Sequence, residues 1–172
     1  MDVALQQIIA HLVITKRGMS ILSSLFGGLF GFGKQSLDEI DFAQSALNDL
    51  DIPFAVSAHE NLKNRLQAYL DGTSKEVFDA NVICFDDRCD LGKWIHASGK
   101  ARLGKYPGFT ALMSHHKMFH FAASNVVALQ NRGKTAEAGA ILKGQFSQFS
   151  KSVVGDLNAL NSMAIKKRQA LK

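Results

Sequence analysis

The sequence predicts an all-α protein, an antiparallel four-helix bundle with short accessory helices. Three observations lead there. Apolar residues recur every three or four positions over long stretches, no stretch alternates in the manner of a strand, and only two prolines interrupt the 172 residues. The length suits one domain, or one domain with an appendage. A composition of 47% hydrophobic against 20% charged residues is ordinary for a folded core and excludes wholesale disorder.

Residues 1–35 form an apolar, Gly-rich N-terminal segment ahead of a helical domain at 36–172. The run Val3 to Ile14 is apolar apart from Gln6, Gln7 and His11, and it ends at Lys16 and Arg17. The second run, Ile21 to Gly33, is rich in glycine. Neither reaches the ~20 residues that a membrane-spanning helix needs. Positive charge follows the first run instead of preceding it, which opposes a secretory signal. Two cysteines cannot staple a secreted scaffold, so a reducing, cytoplasmic location is expected. Phe26, Phe30 and Phe32 have two readings, a flexible lead-in or an aromatic face laid on a membrane surface or partner. Met19 follows Lys16-Arg17-Gly18, whose codons can resemble a ribosome-binding site, so a start at Met19 is one reading of residues 1–18.

Helical signals begin at Ser36. Ser36-Leu-Asp-Glu39 is a capping box and opens a helix to about Leu50. Pro53 stands where a first helical turn tolerates it. Ala55, His59, Leu62, Leu66 and Tyr69 then recur at helical spacing up to Gly72. Residues 73–88 read as a connection with a helical turn around Ser74–Asp79. A short helix is expected over Leu91–Ala97, ending before Gly99. After Pro107 the stripe resumes with Phe109, Leu112, Met113, His116, His120, Ala123 and Val127, and stops at Asn131-Arg-Gly133. The last helix carries Leu142, Phe146, Phe149, Val153, Leu157 and Leu160.

The formal charge of +5 invites a nucleic-acid reading, but its placement does not. Lys166, Lys167, Arg168 and Lys172 lie in the last sixteen residues, which contain no acid. Without them the chain is close to neutral. The basic tail reads as a solvated helix end, with docking as the alternative, and no nucleic-acid partner is expected.

Three sets of residues can carry chemistry. His116 and His120 are four apart in an apolar stripe, so both imidazoles project from one helix face into the bundle. Either each is satisfied by a core carbonyl or hydroxyl, or the two share one ion. His115 lies about 100° away around the helix. His59 also lies in an inward stripe. Glu60 beside it suggests a zinc protease motif, but Lys63 stands where the second histidine would be required. Cys89 precedes Asp90-Leu-Gly-Lys-Trp94 at the start of a short helix, whose positive end favours a thiolate. Alone, Cys89 also reads as a small buried hydrophobe. Cys84 reads the same way, or as a resolving thiol for an oxidised Cys89. One thiolate with three imidazoles is the donor set and number that tetrahedral Zn²⁺ takes.

Together these residues resemble a known family. His59, then Cys89-x-Leu-Gly-Lys-Trp94 thirty residues on, then His116-x-x-x-His120 after twenty-seven more, closely resembles the chemoreceptor zinc-binding domain. The likeness extends through Gly92 and Trp94 to Pro107-Gly108-Phe109 and the alanines after His120, and covers about Leu50 to Leu160. By this resemblance, His59, Cys89, His116 and His120 match the family's four zinc ligands, and the fold is a helical bundle, often dimeric, with one zinc in its core. Cys84 and His96 have no place in the motif.

Four protein ligands leave no open position for a catalytic water, and the inward stripes supply no glutamates for di-iron chemistry, so no enzyme and no catalytic residue is expected. The resemblance implies a regulatory module that responds to zinc or to hypochlorous acid, in a family commonly fused to chemoreceptors or diguanylate cyclases. The sequence carries no Gly-Gly-Asp/Glu-Glu-Phe motif and no long heptad hairpin, so such a module acts through a signalling partner. Two alternatives stand beside it. One is a zinc-storage or buffering protein, and the other a membrane- or receptor-associated protein with a purely structural zinc.

Overall fold

Every regular element among residues 45–170, which a computed structural model of the chain describes with side chains through residue 162, is helical. The capping box at Ser36, the aromatic segment with Phe26, Phe30 and Phe32, and the side chains of the basic tail lie outside the described residues. The helix expected to end near Leu50 is described over 45–48, where Ala46 is fully buried.

Asp51 starts the first long helix, α1 (Ile52–Leu70). Its carboxylate accepts the Phe54 N–H at 2.9 Å, and Pro53 occupies the first turn. Ala55, His59, Leu66 and Leu70 turn inward. Gly72, at φ +67°, takes the left-handed turn that ends the element.

The connection to the next long helix differs from expectation in two places. Residues 73–79 contain no helical turn. Phe78 is instead buried against Tyr69, ring centroids 5.3 Å apart, and that burial outweighs the local preference. Asp79 then caps a later turn, α2 (Ala80–Ile83), accepting from Asn81 N–H at 2.8 Å. The second difference follows α3 (Asp90–Trp94), which does not stop before Gly99. A wide turn over Ile95–Gly99, kinked at Ala97 (φ −107°, ψ −106°), leads directly into α4 (Lys100–Leu103). Gly99 keeps a helical φ of −59°, and a Cβ there would stand 2.9 Å from the Phe109 ring. This glycine serves close packing rather than chain reversal.

The longest helix, α5 (Pro107–Asn131), buries Phe109, Leu112, His116, Phe119, His120, Ala123 and Val127. Gly133, at φ +73°, turns the chain into α6 (Thr135–Ile141). A wide turn at Leu142–Phe146 joins it to α7 (Ser147–Ala170). Phe146, Val153, Leu157 and Leu160 complete the core.

The helix directions depart from a fully antiparallel bundle. His115 of α5 meets Asp156 of α7 at 2.7 Å, as an antiparallel hairpin about Gly133 requires. Helices α1 and α5 run the same way. His59 lies against His116, and further along both helices the Tyr69 hydroxyl donates to Asn131 Oδ1 at 2.6 Å. Residues 71–106 are therefore a crossover that carries the chain back along α1. Among the described residues no helix is long and apolar enough to cross a membrane.

Candidate metal centre

Three elements deliver four side chains to one point. His59 comes from α1, His116 and His120 from adjacent turns of α5, and Cys89 from the N-cap of α3. Their ligand atoms all lie within 4.8 Å of one another. The imidazoles are buried, at 5%, 0% and 6% exposure, while Cys89 is half-buried. Phe119 closes one side, 4.8 Å from His59 and 4.7 Å from Phe146 between ring centroids.

Backbone carbonyls set two of the rings. Nδ1 of His59 donates to Ala55 O at 2.6 Å, and Nδ1 of His120 donates to Ile83 O at 2.8 Å. A carbonyl can only accept, so both protons sit on Nδ1 and both Nε2 lone pairs are free. Each of those Nε2 atoms is buried without a hydrogen-bond partner. A buried polar atom with no partner is costly, and two aimed into one cluster are donors that a cation would satisfy. Nε2 of His116 faces Cys89 Sγ at 3.3 Å. That approaches the ~3.5 Å separating sulfur and nitrogen donors on a tetrahedral zinc with bonds of ~2.3 and ~2.0 Å. The donor set and its geometry fit a metal ion.

The electrostatics favour neutral imidazoles. Burial lowers His59 and His120 below the ordinary 6.5, against the opposing pull of their carbonyl partners. Burial, with His120 and His59 close by, takes His116 down to about 2. The expected ease of ionising Cys89 is not met by the protein groups around it. Burial pushes its thiol up, and the Gly92 N–H, which donates to Sγ at 3.2 Å, opposes this without overcoming it. A bound cation would supply the missing stabilisation of the thiolate.

The neutral histidines carry a pH consequence. As pH falls below 6.5, unfolded imidazoles take up protons that the folded ones refuse. The metal-free protein should therefore lose stability on acidification, by up to about 1.4 kcal/mol per pH unit for each such histidine. Urea midpoints measured in chelator at about pH 7.5 and about pH 5 would show it. Equal midpoints would contradict these burial assignments.

Residues 59–127 match the family model of the chemoreceptor zinc-binding domain. The match opens at His59 and takes in Cys89, His116 and His120. It is shorter than the stretch from about Leu50 to Leu160 expected from the sequence. No curated protein and no solved structure matched the chain.

Within the chemoreceptor zinc-binding domain match, the remaining candidates stand apart from the cluster. Cys84 donates to Asn81 O at 3.2 Å, His96 pairs with Asp86 at 2.9 Å, and His115 pairs with Asp156. Two supporting groups escaped sequence reasoning. Ile83 reaches His120 because the helical turn falls at 80–83, for which Asp79 before Ala80 was the available capping signal. The Gly92 N–H reaches Cys89 because Cys89 is itself the N-cap, three residues before.

Proposed function

We propose that this domain binds one Zn²⁺ through His59 Nε2, Cys89 Sγ, His116 Nε2 and His120 Nε2, and works as a cytoplasmic regulatory module rather than an enzyme. The observation that carries the reading is the convergence of buried, unpartnered histidine nitrogens on one half-buried thiol. When bound, zinc supplies a positive charge that keeps Cys89 as thiolate and ties α1, α3 and α5 together. The fourth helix of the proposed bundle is the one that ends at 45–48.

Cys89 is the natural point of control. It is the least buried of the four and lines a cavity of about 350 Å³ together with Phe54, Ala58, Leu91 and Trp94. His59 lines the same cavity, and of the two donors the thiolate sulfur is the one a small oxidant attacks. Hypochlorous acid takes an electron pair from the thiolate, giving a sulfenic acid and chloride, and the oxidised sulfur is a poor metal donor. Release of Cys89 frees the start of α3. That helix carries Trp94, whose Nε1–H donates to Ala46 O at 2.9 Å, so a shift at Cys89 reaches the helix preceding α1. A signalling partner, of chemoreceptor or diguanylate cyclase type, and a homodimer fit this role.

Zinc analysis of the purified protein tests the reading, with one ion per chain expected. Equimolar hypochlorous acid should release that ion, followed with a chromogenic chelator, and Cys84→Ser should respond like the unaltered protein. Zinc retained under oxidant would leave a purely structural metal. Zinc-dependent capture of a defined signalling protein separates a sensor from a zinc buffer.

A further inference from the structure

His116 differs from the other two histidines. Their Nδ1 protons are held by carbonyls, whereas Nδ1 of His116 is fully buried with no hydrogen-bond partner. Once Nε2 serves as a donor to a cation, the single proton of the neutral ring must sit on Nδ1. A buried N–H then requires an acceptor. The carboxylate of Asp86 stands beside it, Oδ2 at 4.0 Å, with only 17% of its side chain exposed. The same oxygen already accepts from Nε2 of His96 at 2.9 Å, which holds the carboxylate at the rim of the centre.

The backbone places Asp86 there deliberately. Its carbonyl lies so close to Gly92 that a Cβ at that position would come within 1.7 Å of the oxygen. The glycine whose N–H supports Cys89 therefore also admits the segment bearing Asp86. On the outer side of the segment, the Arg88 guanidinium sits 4.1 Å over the Phe85 ring.

We propose that Asp86 is the positioning residue of the centre: with a cation on Nε2 of His116, its carboxylate closes on Nδ1–H and fixes the ring for metal binding. Carboxylate–histidine–metal relays of this kind set tautomer and ring orientation and raise ligand basicity. Asp86 touches the ligand and not the metal. The inference rests on the zinc reading above and adds a residue to it.

The test uses the full-length chain, with Asp86→Ala and Asp86→Asn. Zinc affinity is measured by competition with a chromogenic chelator, and the imidazole protons by NMR of ¹⁵N-histidine-labelled, zinc-loaded protein. Asp86→Ala should weaken zinc binding roughly 10- to 100-fold and abolish the slowly exchanging Nδ1 proton of His116. Asp86→Asn, which keeps an acceptor oxygen and the same shape, should fall between. A merely structural role would change helicity or metal-free stability and leave the Nδ1 proton in place. Zinc affinity within about threefold of the unaltered protein, or a retained Nδ1 signal in Asp86→Ala, overturns the assignment of Asp86 alone. An unaltered protein that binds no zinc overturns the zinc reading and this inference together.

Discussion

His116→Ala and Cys89→Ala should each abolish stoichiometric zinc retention, while His115→Ala should keep one ion per chain. His116 is the centre of the cluster, fully buried, with ring centroids 5.3 Å from His59 and 4.7 Å from His120. Removing it deletes one donor and leaves the other two histidines without a common focus. The adjacent His115 turns away to Asp156 on α7. Its loss should cost about 1 kcal/mol of stability, since that pair is only half-buried and solvent screens it.

The size of the effect depends on the metal. Zinc at 1,000 times its dissociation constant adds about 4 kcal/mol to the stability of a protein that binds it only when folded. Thermal unfolding with added zinc should therefore separate the unaltered protein from the two ligand variants by many degrees. In chelator the gap should narrow for Cys89→Ala, which removes a half-buried thiol, and remain wider for His116→Ala, which opens a cavity. Equal shifts with and without zinc would mean that these residues act through packing alone.

Much of this centre was legible because helices repeat. The i, i+4 spacing places His116 and His120 on one face, and an inward stripe does the same for His59. The positive-φ glycines, Gly72 and Gly133, end α1 and α5 as the turn chemistry implies. What was not legible depends on contacts between distant segments. Ser74 and Asp79 are both acceptable caps, and the buried Phe78 decides between them. Gly99 looks like a helix stop until Phe109 and Trp94 are packed against it. The shared direction of α1 and α5 is invisible in periodicity, because a stripe of apolar residues is the same read up or down. It follows from a crossover long enough to return the chain. Tautomers divide in the same way. His59 finds its carbonyl one turn back, at Ala55, while His120 needs Ile83 from another element.

Gly92→Ala should be the most damaging change outside the four proposed ligands. The added methyl meets Asp86 O at 1.7 Å, Asp86 C at 2.8 Å and Asp87 Cα at 3.1 Å. All three are backbone atoms, so no rotamer change relieves the clash. Either the segment at 85–88 or the start of α3 must move. Forced overpacking typically costs ~1–3 kcal/mol, and here the displaced groups are those that support the centre. The Gly92 N–H leaves Cys89 Sγ, and Cys89 leaves its 3.3 Å approach to His116. Zinc affinity should fall at least as far as in Asp86→Ala, with a lower unfolding midpoint in chelator as well. Gly139→Ala provides the contrast. A Cβ there meets nothing within 4 Å, and alanine favours the helix by ~1 kcal/mol, so α6 should gain stability with zinc binding unchanged. If Gly92→Ala instead binds zinc like the unaltered protein, the close approach of Asp86 to α3 cannot be what holds Cys89 and His116 in register.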